Sequence, residues 1–184
     1  MTSSIPAANN SPLLDVRNLH VDFVNAGAVT HAVRGVSFTL GQEKLAIVGE
    51  SGSGKSTVGR ALLRLHPAKA RITAERMQFG DIDLQQVTEA QMRQVRGKRI
   101  SMIMQDPKYS LNPVVCVGDQ IAEAWLTHHP GQKKAAKAKV LEMLDVVRIR
   151  QPERVYHLYP HEISGGQGQR IMIAMMLITD PELV

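Results

Sequence analysis

The first third of the chain alternates apolar and polar positions in the way that strands with one buried face do. Apolar residues recur at nearly every second position over 14–23 and again over 36–40. This period predicts two half-buried strands that pair antiparallel. The next apolar run, Leu45–Val48, is continuous and lies between Lys44 and Gly49. Such a run predicts a strand that is buried on both faces of a parallel sheet.

The hydrophobic period changes after Lys55 from two to that of an α-helix. Val58, Ala61, Leu62 and Leu65 form one helical stripe, and we expect the helix to end before a proline at position 67. The remaining predicted elements are a strand at 77–79, a short helix from Thr88 to about Gly97, a buried strand at 100–104, and helices at 118–126, 134–147 and 164–178.

Together these elements predict an α/β fold that combines three parts. An antiparallel layer comes first, a parallel core sheet follows, and a helical subdomain over about 106–165 is inserted into it. Residues 1–12, rich in Ser, Asn, Ala and Pro, are expected to be a flexible tail. Residues 13–184 are then expected to form one partial domain.

A phosphate-binding pattern follows the continuous apolar run. It matches G-x-x-x-x-G-K-[ST] at every fixed position through Gly49, Glu50, Ser51, Gly52, Ser53, Gly54, Lys55 and Ser56. The glycines let the backbone turn its N–H groups toward a polyanion, and the following helix adds the positive end of its dipole. Lys55 supplies a positive charge for the outer phosphates, and the Ser56 hydroxyl is an oxygen ligand for Mg²⁺.

Two other interpretations of this loop are weaker. A chance Gly-Ser loop would not need a buried strand before it and an amphipathic helix after it. The dinucleotide pattern G-x-G-x-x-G would leave Lys55 and Ser56 without a use. The loop, extended by Thr57 at the start of the helix, therefore predicts ATP and Mg²⁺ as cofactors.

Charge and composition narrow the partners. The net charge of +5 admits an anionic partner, but the densest basic group, at 133–139, has no interleaved aromatic residues for stacking on bases. We therefore expect no nucleic acid partner. Cys116 is the single cysteine, and the longest apolar run, Ile171–Ile178, is far shorter than the roughly 20 residues that span a bilayer.

Two further motifs resemble those of ABC ATPases. Ile163–Gln167 resembles the signature motif of that family, and Met102–Asp106 resembles its Q-loop. The loop at 49–56, the Q-loop and the signature occur in the family's order. Within the family, Asp106–Pro113 and Tyr159–Glu162 are similar to the corresponding segments of peptide and nickel importers, as are 117–121 and 171–175.

The resemblance implies a function and an assembly. It implies the ATP-binding, energy-coupling subunit of an importer, with peptides as the first expectation and nickel or another small solute still open. The implied partners are a second ABC ATPase subunit, two transmembrane permease subunits and an extracytoplasmic solute-binding protein. The implied location is the cytoplasmic side of the cell (inner) membrane, reached as a peripheral subunit through the permeases.

The resemblance also implies residue roles. Phe23 would stack on adenine, although a strand core residue is the alternative, and Gln105 would act as the coupling residue that reaches Mg²⁺ or the attacking water. The signature residues would contact the nucleotide of a second subunit from a bare helix N-terminus. A glycine-rich helix start without a function is the alternative for these four, namely Ser164, Gly165, Gly166 and Gln167.

The sequence departs from the family pattern at its end. Asp180–Val184 leads toward the strand that carries the family's Mg²⁺-holding Asp, followed by its water-orienting Glu and, later, its switch His. We expect none of the residues present to replace these three, so no catalytic residue is assigned. The fold is then incomplete at the C-terminus. A soluble, non-transport ABC ATPase and a degenerate, non-catalytic fragment remain the alternative functions.

Overall fold

The structure is a computed structural model, and it describes residues 12–25, 28–105 and 110–184. It divides into two compact units, Met1–Met92 and Arg93–Val184. The predicted tail falls almost entirely on residues 1–11, outside the described residues. The predicted helical subdomain at 106–165 falls within the second unit, apart from 106–109, which are not described.

The first unit contains an antiparallel sheet that confirms the predicted N-terminal layer. The five described strands pair in the order β2-β1-β4-β5, with β3 also paired to β1. The apolar positions of β1 fill the core, because every inward side chain from Leu14 to Val21 is fully buried. The strand bounds are β1 Leu14–Asn25, β2 Ala28–Leu40, β3 Ala70–Thr73, β4 Arg76–Phe79 and β5 Ile82–Asp83.

The helices of this region begin where the sequence indicates. Helix α1 spans Lys55–Leu62 and buries Val58, Ala61 and Leu62. It ends earlier than the proline at 67 because Arg64 adopts a left-handed conformation, with φ 52°. Helix α2 spans Glu89–Val95, and its predicted capping box is confirmed by reciprocal bonds between Thr88 and Gln91.

The second unit has a helical core. Its central side chains, Ile121, Val140, Leu144 and Ile171, are fully buried against one another. The predicted long helices are confirmed to within one residue at each end. The helices are α3 Val117–Leu126, α4 Lys133–Val146, α5 Pro152–Tyr156 and α6 Gly165–Leu177, with a 3₁₀ turn at Pro160–Glu162 between the last two.

Two strands that were predicted for the parallel core, at 45–48 and 100–104, are not strands in the structure. Residues 45–48 form no strand, and Val48 is 91% exposed rather than buried. The predicted strand at 100–104 is reduced to isolated parallel bridges of Ile100 with Arg96 and with Leu183. Two backbone bonds hold the bridge to Leu183, from Ser101 N to the Leu183 oxygen at 2.9 Å and from Leu183 N to the Arg99 oxygen at 3.1 Å. An apolar run becomes a buried strand only where neighbouring strands pair with its backbone.

Candidate nucleotide-binding site

The loop at 49–56 is built around a left-handed glycine. Gly54 caps α1 with φ 93° and ψ 3°, a conformation that costs a residue with a side chain about 1–2 kcal/mol. A Cβ at this position would also lie 2.6 Å from the carbonyl oxygen of Ala32 in β2. Gly52 is left-handed as well, with φ 82°. The strand β2 therefore fixes the loop, and only glycine fits at position 54.

The Lys55 side chain lies over this loop. Its Nζ donates to the carbonyl oxygens of Gly49 at 2.9 Å and Glu50 at 2.7 Å, and to the Ser53 hydroxyl at 3.4 Å. The loop is closed further by a bond from Ser53 N to the Glu50 oxygen at 3.2 Å. The Lys55 ammonium group is thus held by two backbone oxygens and one hydroxyl of the loop.

The start of α1 adds donors to the same place. Because the helix begins at Lys55, its first amides have no carbonyl acceptor within the helix. Its first turn carries no acidic side chain, so nothing competes with an incoming anion for the positive end of the dipole. Ser56 is exposed and Thr57 is half-buried. The donor set and the bare glycine turns fit a polyphosphate.

Phe23 is half-buried in β1 rather than a full core residue. Its ring meets the His66 ring edge-on, with centroids 5.4 Å apart. His66 Nε2 in turn donates to the Thr57 carbonyl at 3.0 Å. Phe23 is therefore linked through His66 to the helix that follows the loop. His66 was not predicted as a site residue, because its contact with Phe23 joins residues far apart in the chain.

The predicted signature segment forms a well-capped helix start. Ser164 N donates to the Gln167 side-chain oxygen at 2.9 Å, and Gln167 N donates to the Ser164 hydroxyl at 3.3 Å. Gly165 and Gly166 are exposed, and a Cβ on either would meet no atom within 4 Å. The start of α6 therefore carries no bulky side chain at these two positions, and another molecule can approach its backbone closely.

Gln105 is exposed at the end of the segment that follows Ile100, which is neither helix nor strand. It and the signature segment belong to the second unit, whereas 49–57 and Phe23 belong to the first. The structure therefore assembles the phosphate loop and the signature end, each within its own unit.

Gln120 is a buried polar residue that the sequence did not single out. Its side-chain oxygen accepts from Asn112 N at 2.8 Å, and its Nε2 donates to the carbonyl oxygens of Asn112 at 2.9 Å and Val115 at 2.8 Å. Val117 N then donates to the Leu158 oxygen at 2.8 Å. These bonds fix the loop at 112–115 to α3 and α3 to the segment that leads into the signature.

The fold of this chain is that of an ATP-binding cassette. The structure is similar to the dimeric ABC transporter cassette MJ0796, with a TM-score of 0.79 and 22% identity over 91% of this chain and 70% of that one. The same cassette, in a post-hydrolysis state bound to ADP and Pi, matches equally well. At this level of identity the likeness shows the fold.

The chain belongs to the ABC transporter family, because the family model of that description matches residues 33–184. Among its relatives, the dipeptide transport ATP-binding protein DppD of Bacillus subtilis (strain 168) is 48% identical over 94% of this chain. The oligopeptide transport ATP-binding protein OppD of the same organism is 44% identical over 94%. A probable peptide ABC transporter ATP-binding protein, y4tR of Sinorhizobium fredii, is 49% identical over 94%.

The chain spans about half the length of these relatives, 52% of DppD, 49% of OppD and 52% of y4tR. None of the described helices is both long and apolar enough to cross a membrane.

Proposed function

We propose that this chain binds ATP and Mg²⁺ and couples ATP binding to solute import as the nucleotide-binding subunit of a peptide importer. The observation that supports the proposal is the loop at 49–56, in which Gly54 is left-handed at the start of α1 and the Lys55 ammonium group lies over the loop. The relatives' names support the peptide cargo, since each describes peptide transport or import. Nothing observed favours a soluble, non-transport ATPase.

The proposed residue roles rest on the loop at 49–56 and on the resemblance to ABC ATPases. Lys55 exchanges its loop acceptors for the outer phosphate oxygens, and the amides at the start of α1 bind the same anion. The Ser56 hydroxyl and the Gln105 side-chain oxygen are the proposed protein ligands of Mg²⁺. Bound Mg²⁺ supplies charge neutralisation at the phosphates. The Phe23 ring, supported by His66, is the proposed surface for adenine.

The signature end acts on a second ATPase subunit. Gly165 and Gly166 present their exposed helix amides to a γ-phosphate that the partner's loop holds, and Ser164 and Gln167 close the capping box beside them. The proposed assembly adds two permease subunits and an extracytoplasmic solute-binding protein, which place the chain at the cytoplasmic face of the membrane.

The experiment that tests this function compares self-association in ATP and in ADP by analytical ultracentrifugation. We expect ATP to raise the dimer fraction and ADP to leave it near the nucleotide-free value. Gly166→Asp should abolish the ATP effect, because the added carboxylate would repel the γ-phosphate, whereas a Cβ at this position meets no atom within 4 Å. Gln169→Asp, an exposed site on α6, adds the same charge as a matched control. Equal dimer fractions in ATP and ADP would contradict the proposal.

A further inference from the structure

A cavity of about 530 Å³ lies in the helical unit, among α3, α4 and α5. Its volume is within the range of small-molecule sites, about 300–1,000 Å³. Its apolar surface comes from Ala122, Leu126 and Ala136 together with the Tyr156 ring. The proposed roles in nucleotide binding involve none of these residues.

The floor of this cavity is held in a fixed position. Tyr156 is 8% exposed, and its ring packs directly on the backbone of Gly118, where an added Cβ would lie 2.2 Å from the ring. The Tyr156 hydroxyl donates to Asp119 Oδ1 at 3.1 Å, and Lys137 Nζ lies 5.3 Å from the ring centroid. Glycine in a helix costs up to about 1 kcal/mol relative to alanine. Gly118 therefore weakens α3, but it leaves the space that the Tyr156 ring occupies.

The cavity wall carries charges of both signs on separate helices. The carboxylates Asp119 and Glu123 belong to α3, and the ammonium groups Lys133 and Lys137 belong to α4. Among the described residues, these four side chains form no ion pair with one another. A molecule between the two helices can therefore meet a negative wall and a positive wall at once.

The α4 wall is more favourable to an anion than its two lysines alone. The first turn of α4 has no acidic residue and no side-chain cap, so the free amides and the positive dipole end are added to the lysine charges. A helix N-terminus normally prefers negative groups. The first turn of α4 has no acidic side chain of its own, so a bound ligand would supply the negative group.

We propose that this cavity binds a short peptide with free termini. The ligand's ammonium group pairs with Asp119 and Glu123, its carboxylate pairs with Lys133 and Lys137, and its middle lies against the apolar side chains of Ala122 and Leu126 beside the edge of the Tyr156 ring. This binding requires no nucleotide, so the inference goes beyond the proposed function and does not depend on it.

The test is a titration of the protein with trialanine, followed by amide chemical shifts in NMR. We expect saturable shifts confined to α3, α5 and the first turns of α4. N-acetyl-trialanine and trialanine amide each lack one terminal charge, and each should bind at least tenfold more weakly. Absence of saturable shifts at millimolar trialanine, or equal binding of the blocked peptides, would overturn the proposal.

Paired variants separate this site from a general effect of charge. Lys137→Met should weaken trialanine binding at least tenfold but leave the affinity for trialanine amide unchanged, since the amide has no carboxylate for Lys137 to pair with. Lys134→Met removes an exposed charge from the same helix outside the cavity and should bind trialanine like the parent. Equal weakening by both variants would overturn the assignment. Lys55→Ala should bind trialanine with the parent affinity, because Lys55 does not line the cavity. Failure of the proposed ATP binding can therefore be distinguished from failure of peptide binding.

Discussion

Gly118 in α3 and Gly168 in α6 are two helical glycines for which replacement by alanine has opposite expected effects on stability. At Gly118 the new methyl group would lie 2.2–2.5 Å from three carbon atoms of the Tyr156 ring. The ring cannot keep its position, and its bond to Asp119 is lost with it. At Gly168 the nearest atom is Ile163 Cδ1, at the ordinary contact distance of 3.8 Å.

The magnitudes follow from these distances. Forcing a methyl group into a packed core costs about 1–3 kcal/mol, and the lost hydrogen bond adds roughly 0.5–1.5 kcal/mol. The alanine gains at most about 1 kcal/mol of helix propensity in return, so Gly118→Ala should destabilise the helical unit by roughly 1–3 kcal/mol. Gly168→Ala gains the helix propensity without a steric clash, so this variant should stabilise the helical unit by up to about 1 kcal/mol.

Urea denaturation of both variants, followed by far-UV circular dichroism, measures the difference. Amide hydrogen exchange in α3 and α6 then shows whether each change acts on the helix that carries it. A Gly118→Ala variant as stable as the parent would refute the close packing of Tyr156 on α3.

Three further predictions follow from other contacts. Gly54→Ala should weaken ATP binding at least tenfold in calorimetry, because the Cβ would meet the Ala32 oxygen and force the loop out of its turn; unchanged affinity would contradict the assigned loop. Gln120→Met should cost about 1–3 kcal/mol in urea denaturation and speed amide exchange at 112–115, because it removes three hydrogen bonds that hold the loop backbone to α3; unaltered exchange would contradict the described bonds. Burial, followed by the bond to Asp119, raises the pKa of Tyr156 from 10.0 to about 12. The resulting stability is complete below pH 10 and is lost as the pH rises toward 12, so a Tyr156→Phe variant should lack that part of the decline in the urea midpoint.

The parts of the fold that could be predicted from sequence are those set by local signals. A capping box needs residues only three positions apart, and so the helix start at Thr88 and Gln91 is predicted from sequence and confirmed. The predicted helix start near Ser164 is confirmed as well, and the structure adds its capping box with Gln167. The antiparallel pair was equally accessible, because alternation over 14–23 and 36–40 reports burial on one face.

The parts that could not be predicted depend on distant partners. The apolar run at 45–48 indicated a buried strand, but strand formation is decided by neighbours that the run itself does not specify. The contact of Gly118 with Tyr156 and the bonds from Gln120 to the 112–115 loop likewise join separate elements. For the candidate site, the motif predicted the loop, whereas the support of Phe23 by His66 became visible only in three dimensions.

Isothermal titration calorimetry with ATP and Mg²⁺ tests most directly whether the loop at 49–56 binds phosphate. The parent chain should bind ATP, and Lys55→Ala should bind more weakly by roughly 1.5–3 kcal/mol, the contribution of a charge-assisted contact. Lys44→Ala removes an exposed charge just before the loop and should retain the parent affinity. Equal affinity of the Lys55→Ala variant and the parent would contradict the account.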